Sequence, residues 1–429
     1  MSGHIALTAR RFGDRLVDRS ITTNLVVQTI GQFGGRLLGY VFFLYAARML
    51  GVNEFGIFSF ALSIGYLVCT IMDFGLDPLC VKWVARGEQD HFFLLARAKV
   101  ATIITGLGLI LILSFFFDWD LRVPIVLLGF GFCFFSFLNF IYSYFRGIEK
   151  MGWEALLLTA QRVSLLGIGL LLFMVSKSAI AGSLAFSLSL FLTFIAAFPL
   201  LQRHVGEPLK SHFYFKRREI TEVLREAYPL AMAGFLWVIY YRIDTIMLAG
   251  FRDMSEVGIY NGAYKIMEGL ILLAGVIMMV SFPRLSRLGR EKGAEFYAFF
   301  GKLFLVLLLL AFLVTAAMHY GAQPVFHLIL GNQYDKSVGI FKILLVAVLA
   351  IYPGNLVTQA LIALDLQKVY MYMALMGALF NICLNLLLIP QYGAAGAAWA
   401  TVFTETLLTA ACGTFIYGCY RRQYMSTDA

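Results

Sequence analysis

Seven charged side chains stand inside stretches that are otherwise apolar. They are Arg36 and Arg162 in the first half of the chain, and Arg242, Asp244, Lys265, Glu268 and Glu405 in the second. A charge near the centre of a bilayer costs at least about 2.5 kcal/mol, so one kept there faces a bundle interior or a water-filled cavity. The planar, permanently ionised fork of arginine suits phosphate. Arg36, Arg162 and Arg242 are therefore candidates for holding an anionic ligand. Asp244 and Glu405 are candidates for carrying a coupling ion, a proton or Na⁺. Lys265 and Glu268 are three apart, share a helix face and can pair with each other. Arg242 and Asp244 are two apart, point in different directions and each needs another partner. The competing reading is that all these charges form structural ion pairs between helices.

Covalent chemistry has no counterpart in the sequence. There is no Walker-type phosphate loop, no HExxH and no nucleophile elbow, and the six His are scattered, with His319 and His327 near one outer loop. No enzyme activity, cofactor or metal is expected. The six Cys lie in or at the ends of apolar segments without metal-ligand spacing, as small buried hydrophobes do.

The elements that must position these charges follow from composition. Of the 429 residues, 60% are hydrophobic and 14% charged, where a soluble domain carries about 25% charged residues. Many apolar runs reach the ~20 residues needed to cross a bilayer. The expected fold is an all-α polytopic membrane protein with about twelve spans. The first two cover residues 22–49 and 55–76, after which Asp77-Pro78 is expected to break the helix and Val81 to Arg86 to lie along the surface. Spans three to six cover 92–117, 122–145, 154–175 and 178–201. The last six cover 227–251, 257–281, 297–319, 338–364, 368–389 and 393–418. Arg36 then falls near the membrane midplane, and Arg162 nearer the cytoplasmic side. Residues 1–21 form an N-terminal tail, 22–201 a first lobe, 202–226 a basic linker, 227–418 a second lobe and 419–429 a C-terminal tail. Ile220, Val223 and Leu224 give the linker an amphipathic surface helix. Gly34-Gly35, Pro229 and Pro353-Gly354 are sites for bends or for close packing of helices.

The net charge of +9 is no sign of nucleic-acid binding. About two dozen Lys and Arg flank the even-numbered loops and both termini, against about six in the odd-numbered loops, a bias that places both termini in the cytoplasm. The basic N-terminus with Arg10, Arg11, Arg15 and Arg19 is not a secretory signal, because the apolar run after it is too long for an h-region and has no clear cleavage site.

One hairpin occurs twice. Ala47-Arg48-Met49-Leu50-Gly51 leads through Val52-Asn53-Glu54 to Phe55-Gly56-Ile57-Phe58 and closes on Asp73-Phe74-Gly75. About two hundred residues later Ala249-Gly250 leads through Arg252-Asp253 and Ser255 to Glu256-Val257-Gly258-Ile259-Tyr260. Repetition with six spans per copy predicts two parallel-repeat six-helix lobes around a central cavity.

The motif around Arg48, Gly51, Gly56 and Asp73 resembles the opening of Wzx-type polysaccharide flippases. These belong to the multidrug/oligosaccharidyl-lipid/polysaccharide (MOP) exporter superfamily, with MATE transporters and MurJ. Gly258, Tyr260, Ala263 and Lys265 resemble the start of that family's second lobe, and Phe282-Pro283-Arg284-Leu285-Ser286 its segment after the eighth helix. Asn381-Ile382-Cys383-Leu384-Asn385 followed by Ile389-Pro390, Gly393, Gly396-Ala397-Ala398 and Glu405 resembles its last two helices. The resemblance implies translocation of an undecaprenyl-diphosphate-linked oligosaccharide from the inner to the outer leaflet of the plasma membrane. It further implies cavity arginines, Arg36 first among them, on the diphosphate. Membrane lipids and a coupling ion would be the other partners, with the monomer as the working unit. A cation-coupled drug or metabolite exporter of the MATE type is the alternative; an acidic first lobe would mark it, and this chain places arginine there.

Overall fold

Backbone in lipid must satisfy its N–H and C=O groups within its own segment, so apolar stretches of this length fold as helices. A computed structural model describes residues 2–88, 91–205, 217–291 and 293–424, with side chains from residue 34 to 421 apart from Arg36 and Arg217. The helices are α1 (Ser2–Asp73), α2 (Leu76–Ala85), α3 (His91–Ser114), α4 (Trp119–Gly147), α5 (Met151–Val175) and α6 (Ala179–Val205). They continue as α7 (Arg217–Phe251), α8 (Met254–Glu291), α9 (Ala294–Ile329), α10 (Asp335–Ala363), α11 (Gln367–Tyr392) and α12 (Ala394–Tyr424), with a short 3-10 turn at Asn332–Tyr334. No strand occurs among the described residues.

Eleven stretches among the described residues are long and apolar enough to cross a membrane. The first, Leu37–Ala85, has 49 residues, more than twice the ~20 a single crossing needs. It is a hairpin. Gly51, with φ 77° and ψ 175°, interrupts α1, and the rings of Phe43 and Phe58 lie 6.2 Å apart. An unbroken helix would separate these two residues by about 22 Å. The left-handed φ at Gly51 is open to glycine without the Cβ clash other residues meet. The two legs of α1 together with α3 to α12 account for the twelve expected spans of a multi-pass membrane protein.

Three sequence expectations are corrected. The helix break lies at Phe74 and Gly75, whose φ values are 42° and 69°, and not at Asp77-Pro78. That pair occupies the first turn of α2, where the missing N–H of proline costs nothing because the first turn leaves such groups unbonded. α2 buries Leu76, Leu79, Cys80, Trp83 and Val84. The linker carries no separate surface helix over 220–224. α7 begins at Arg217 and runs unbroken into the seventh span, while residues 206–216 lie outside the described residues. Finally, α9 continues ten residues past the expected end at 319, so His319 and His327 are both helical. Hydropathy fixes the apolar part of a span, but nothing stops the helix where the lipid ends.

The chain divides into two compact units, residues 1–42 with 64–235 and residues 43–63 with 236–429. In the first unit Phe132 of α4 meets Tyr66, Phe135 and Phe186, and Phe92 of α3 stacks on Phe140. Lys82 and Arg97 pair with Glu226 and Glu219, tying α2 and α3 to the first turns of α7.

The second unit contains the tips of both repeated hairpins, and they meet at the same motif position. A Cβ on Gly56 would stand 1.8 Å from the Met254 carbonyl oxygen, and one on Gly258 would stand 1.8 Å from that of Val52. Backbone approaches backbone here, as small residues allow between membrane helices. Arg48 donates to the Leu328 carbonyl. Gln333 Nε2 donates to the Arg48 carbonyl at 2.8 Å and the Tyr334 hydroxyl to that of Ala47 at 2.9 Å, locking the first hairpin to the turn before α10. Because the obstacle is backbone, Gly56→Ala and Gly258→Ala should each destabilise the protein by about 1–3 kcal/mol. Gly275→Ala, with nothing within 4 Å, should leave the Tm of purified protein unchanged. Equal Tm values for all three would refute the close-contact account.

Candidate functional site

Charges at membrane depth differ in how far the protein itself neutralises them. In the first unit Lys99 is fully buried. Its Nζ lies 2.7 Å from Asp73 Oδ1 and 2.9 Å from Asp77 Oδ1, and Ser136 Oγ donates to Asp73 Oδ1 at 2.6 Å. Asp73, singled out from sequence as a motif residue, is thus one wall of an ion cluster. Lys99 was passed over in the sequence, although a lysine eight residues into a span is the same signal that marks Arg36 and Arg162.

Arg162 is the contrasting case. It stands eleven residues from one end of α5 and thirteen from the other. Its guanidinium lies along the glycine face of α1. A Cβ at Gly39 would stand 3.2–3.3 Å from the Arg162 guanidinium atoms, and one at Gly35 3.9 Å from Cγ. Two glycines one turn apart give a large cation room to lie flat against a helix backbone. Among the described residues Arg162 has no hydrogen-bond or ion-pair partner. The side chain of Arg36, the other cation on this stretch of α1, lies outside the described residues.

The second unit holds the acidic candidates. Lys265 and Glu268 pair at 2.6 Å, as their spacing implied, and Lys265 also caps the Phe43 ring at 4.8 Å. Arg242, on α7, is half-buried. Asp244, two residues on, is buried and finds its partners on three other helices. Tyr260 Oη donates to Asp244 Oδ2 at 2.8 Å, and Asn385 Nδ2 donates to Oδ1 at 2.6 Å. Thr401 Oγ1 lies 3.1 Å from Oδ2 and 3.4 Å from the Tyr260 hydroxyl. Asn385 Nδ2 also reaches Asn381 Oδ1 at 2.9 Å, one turn back on α11. Asn385 Oδ1 is buried without a hydrogen-bond partner. Glu405 accepts from the Tyr240 hydroxyl at 2.5 Å, and Thr404 Oγ1 beside it is also buried and unpartnered.

The Asp244 cluster gathers one carboxylate and several neutral oxygens and amides, and among the described residues no basic side chain is bonded to the carboxylate. Such an oxygen-rich pocket with a single negative charge suits one monovalent positive charge, either a proton on the carboxylate or a hard cation with oxygen ligands. Tyr260, Asn381 and Asn385 were singled out as motif residues, and they prove to be the shell of Asp244. Thr401, and Thr404 beside Glu405, carried no sequence signal. Among the remaining motif positions, Gly396 abuts the Leu388 carbonyl where α11 turns into α12.

The sequence model described as "Polysaccharide biosynthesis protein" matches residues 21–289. The chain is 22% identical to a putative O-antigen transporter of Shigella dysenteriae over 90% of this chain and 97% of that protein. It is 22% identical to the probable low-salt glycan biosynthesis flippase Agl15 of Haloferax volcanii over 94% and 83%. Among solved structures it is similar to the lipid II flippase MurJ in an inward closed conformation, with a TM-score of 0.75 at 14% identity over 91% of this chain and 87% of that one. An inward-facing MATE family transporter of the MOP superfamily gives a TM-score of 0.68 at 13% identity over 94% and 99%. At these identities the structural likeness establishes a shared helical fold.

Proposed function

The chain belongs to the polysaccharide biosynthesis protein family, and on that premise we propose that it is a flippase for a prenyl-diphosphate-linked oligosaccharide, moving it from the inner to the outer leaflet of the plasma membrane. The observation that carries this reading is Arg162. Two other cations in the spans are neutralised by carboxylates, Lys99 by two and Lys265 by one, and Arg242 has an interaction of its own. A mid-helix guanidinium held on a glycine face with no counter-ion among the described residues calls for an external anion. A lipid diphosphate supplies one at the required depth, with its sugar in water and its tail in the bilayer. Arg36 and, in the second half, Arg242 are the other two candidates for the same anion.

Transport proceeds by alternating exposure of this site to the two sides. A ligand bound equally well in both states shifts nothing, so direction needs a second input. The Asp244 cluster is the place for it, binding H⁺ or Na⁺ through Asp244 with Asn381, Asn385 and Thr401, while Glu405 is the second carboxyl within the same unit. Both termini lie in the cytoplasm by the Lys and Arg bias, and the monomer is the working unit.

The test is genetic and chemical together. Deleting the gene in its source organism should cause prenyl-diphosphate-linked glycan to accumulate on the cytoplasmic face, and re-expression of the wild type should clear it. Arg162→Ala at matched membrane levels should restore about a tenth of that clearance or less, since charge-assisted hydrogen bonds contribute about 1.5–3 kcal/mol. Arg162→Lys should fall between. If no lipid-linked glycan accumulates on deletion, the flippase reading fails. Full clearance by Arg162→Ala would remove this arginine from the mechanism while leaving that reading intact.

A further inference from the structure

The hairpin of α8 and α9 in the second unit carries a groove of about 510 Å³ whose lining includes Arg284, Leu288, Glu295, Phe299, Lys302 and Val306. Its residues are ordered by depth. Glu295 is at the start of α9, beside the turn. Arg284 is seven residues before the end of α8 and Lys302 eight residues after the start of α9. Both cations therefore stand about 10–12 Å from the turn on facing helices. Val306 lies one helical turn beyond Lys302, towards the middle of the ninth span. From water inward the groove thus presents a carboxylate, two cations and then an apolar wall.

Arg284 is preset for a ligand. Its guanidinium stacks over the Phe299 ring at 4.7 Å, which fixes the plane and leaves the N–H edges free to donate. Among the described residues neither Arg284 nor Lys302 forms an ion pair. With Glu295 counted, the lining carries a net charge of one positive unit. That balances a singly charged phosphodiester and falls short of the two or more charges of a diphosphate.

We infer that this groove is a binding site for an anionic glycerophospholipid. The phosphodiester lies between Arg284 and Lys302, the glycerol head faces Glu295 and an acyl chain runs along Leu288 and Val306. The site is separate from Arg162 and Asp244 and does not depend on what the protein transports.

Native mass spectrometry of the full chain in detergent, titrated with phosphatidylglycerol or with phosphatidylcholine of the same acyl chains, tests it. The wild type should retain phosphatidylglycerol in preference. Arg284→Gln with Lys302→Gln should lower that binding by about tenfold, to the phosphatidylcholine level, because each interfacial cation contributes a comparable electrostatic increment. Arg287→Gln, an exposed cation on the same helix outside the groove lining, should change nothing. An unaltered preference in the double variant overturns the site, as does an equal loss in Arg287→Gln or equal retention of the two lipids by the wild type. If undecaprenyl diphosphate outcompetes phosphatidylglycerol through the same two residues, the phospholipid assignment is wrong and the groove belongs to the transported lipid. Melting curves in lipid-free detergent guard against misfolding, and both variants, with all three substitutions at exposed positions, should match the wild type.

Discussion

Replacing Lys99 with methionine should strip the protein of much of its stability. The methionine fills about the same volume, so the change removes charge with little change in packing. What remains is Asp73 and Asp77, both formerly bonded to one ammonium at 2.7 and 2.9 Å, now without a counter-charge between them. Breaking a buried ion pair by removing one partner typically costs about 3–5 kcal/mol, because the other charge is left uncompensated. Here two charges are stranded, and they flank the helix break at Phe74 and Gly75, so the reorganisation falls where α1, α2, α3 and α4 join. Ser136 can donate to only one oxygen, and Thr102 is already committed to the Met72 carbonyl at 2.7 Å. A fall in Tm of about 3–6 °C is expected by the usual conversion for a chain of this size, with reduced recovery from membranes. Adding Asp73→Asn and Asp77→Asn to Lys99→Met should restore most of the loss, since a fully neutral cluster has no stranded charge. If Lys99→Met melts with the wild type, the cluster contributes nothing. If the triple variant melts as low as the single one, lost packing rather than charge is the cause.

The same cluster marks what the sequence could and could not disclose. Apolar length alone locates the spans, because a bilayer imposes one dimension on every helix. The hairpin at Gly51 was legible from its glycine and polar turn. The break at Phe74 and Gly75 was misplaced by three residues because Asp77-Pro78 reads as a stop, whereas proline is equally at home in a first turn. Asp73 was visible as a motif, but its meaning depends on Lys99, which hides in a run with the hydropathy of a span. Lys265 and Glu268 were legible as a pair because helical geometry fixes neighbours three apart. Asp244 was legible as a charge out of place. Its shell was not, since Asn385 and Thr401 lie 141 and 157 residues away and only the packing of α7, α8, α11 and α12 brings them together. Periodicity carries local geometry; it carries no information on which helices will be neighbours.

Asp244→Asn should abolish driven transport while leaving the fold intact. The substitution is isosteric, and the surrounding donors can adjust. The Asn385 amide can turn so that its oxygen, now unpartnered, accepts from the new side-chain NH₂, while Tyr260 continues to donate to the remaining carbonyl oxygen. Removing a buried charge that lacks a cationic partner costs little and can stabilise, so the Tm should be unchanged or raised. The one property lost is the negative charge that would attract a proton or Na⁺. Clearance of accumulated lipid-linked glycan should fall by about 100-fold if Asp244 supplies roughly 2.7 kcal/mol of differential interaction between loaded and empty states. Ion identity is read from the same two proteins. If the site binds Na⁺, raising NaCl against choline chloride should lift the wild-type Tm by mass action on the folded state, and the variant should not respond. If the site carries a proton, the wild-type Tm should be indifferent to Na⁺, and transport should follow the pH gradient in the wild type alone. Unchanged clearance by Asp244→Asn would exclude this cluster from coupling, and Glu405, with its bond to Tyr240, would be the next carboxylate to neutralise.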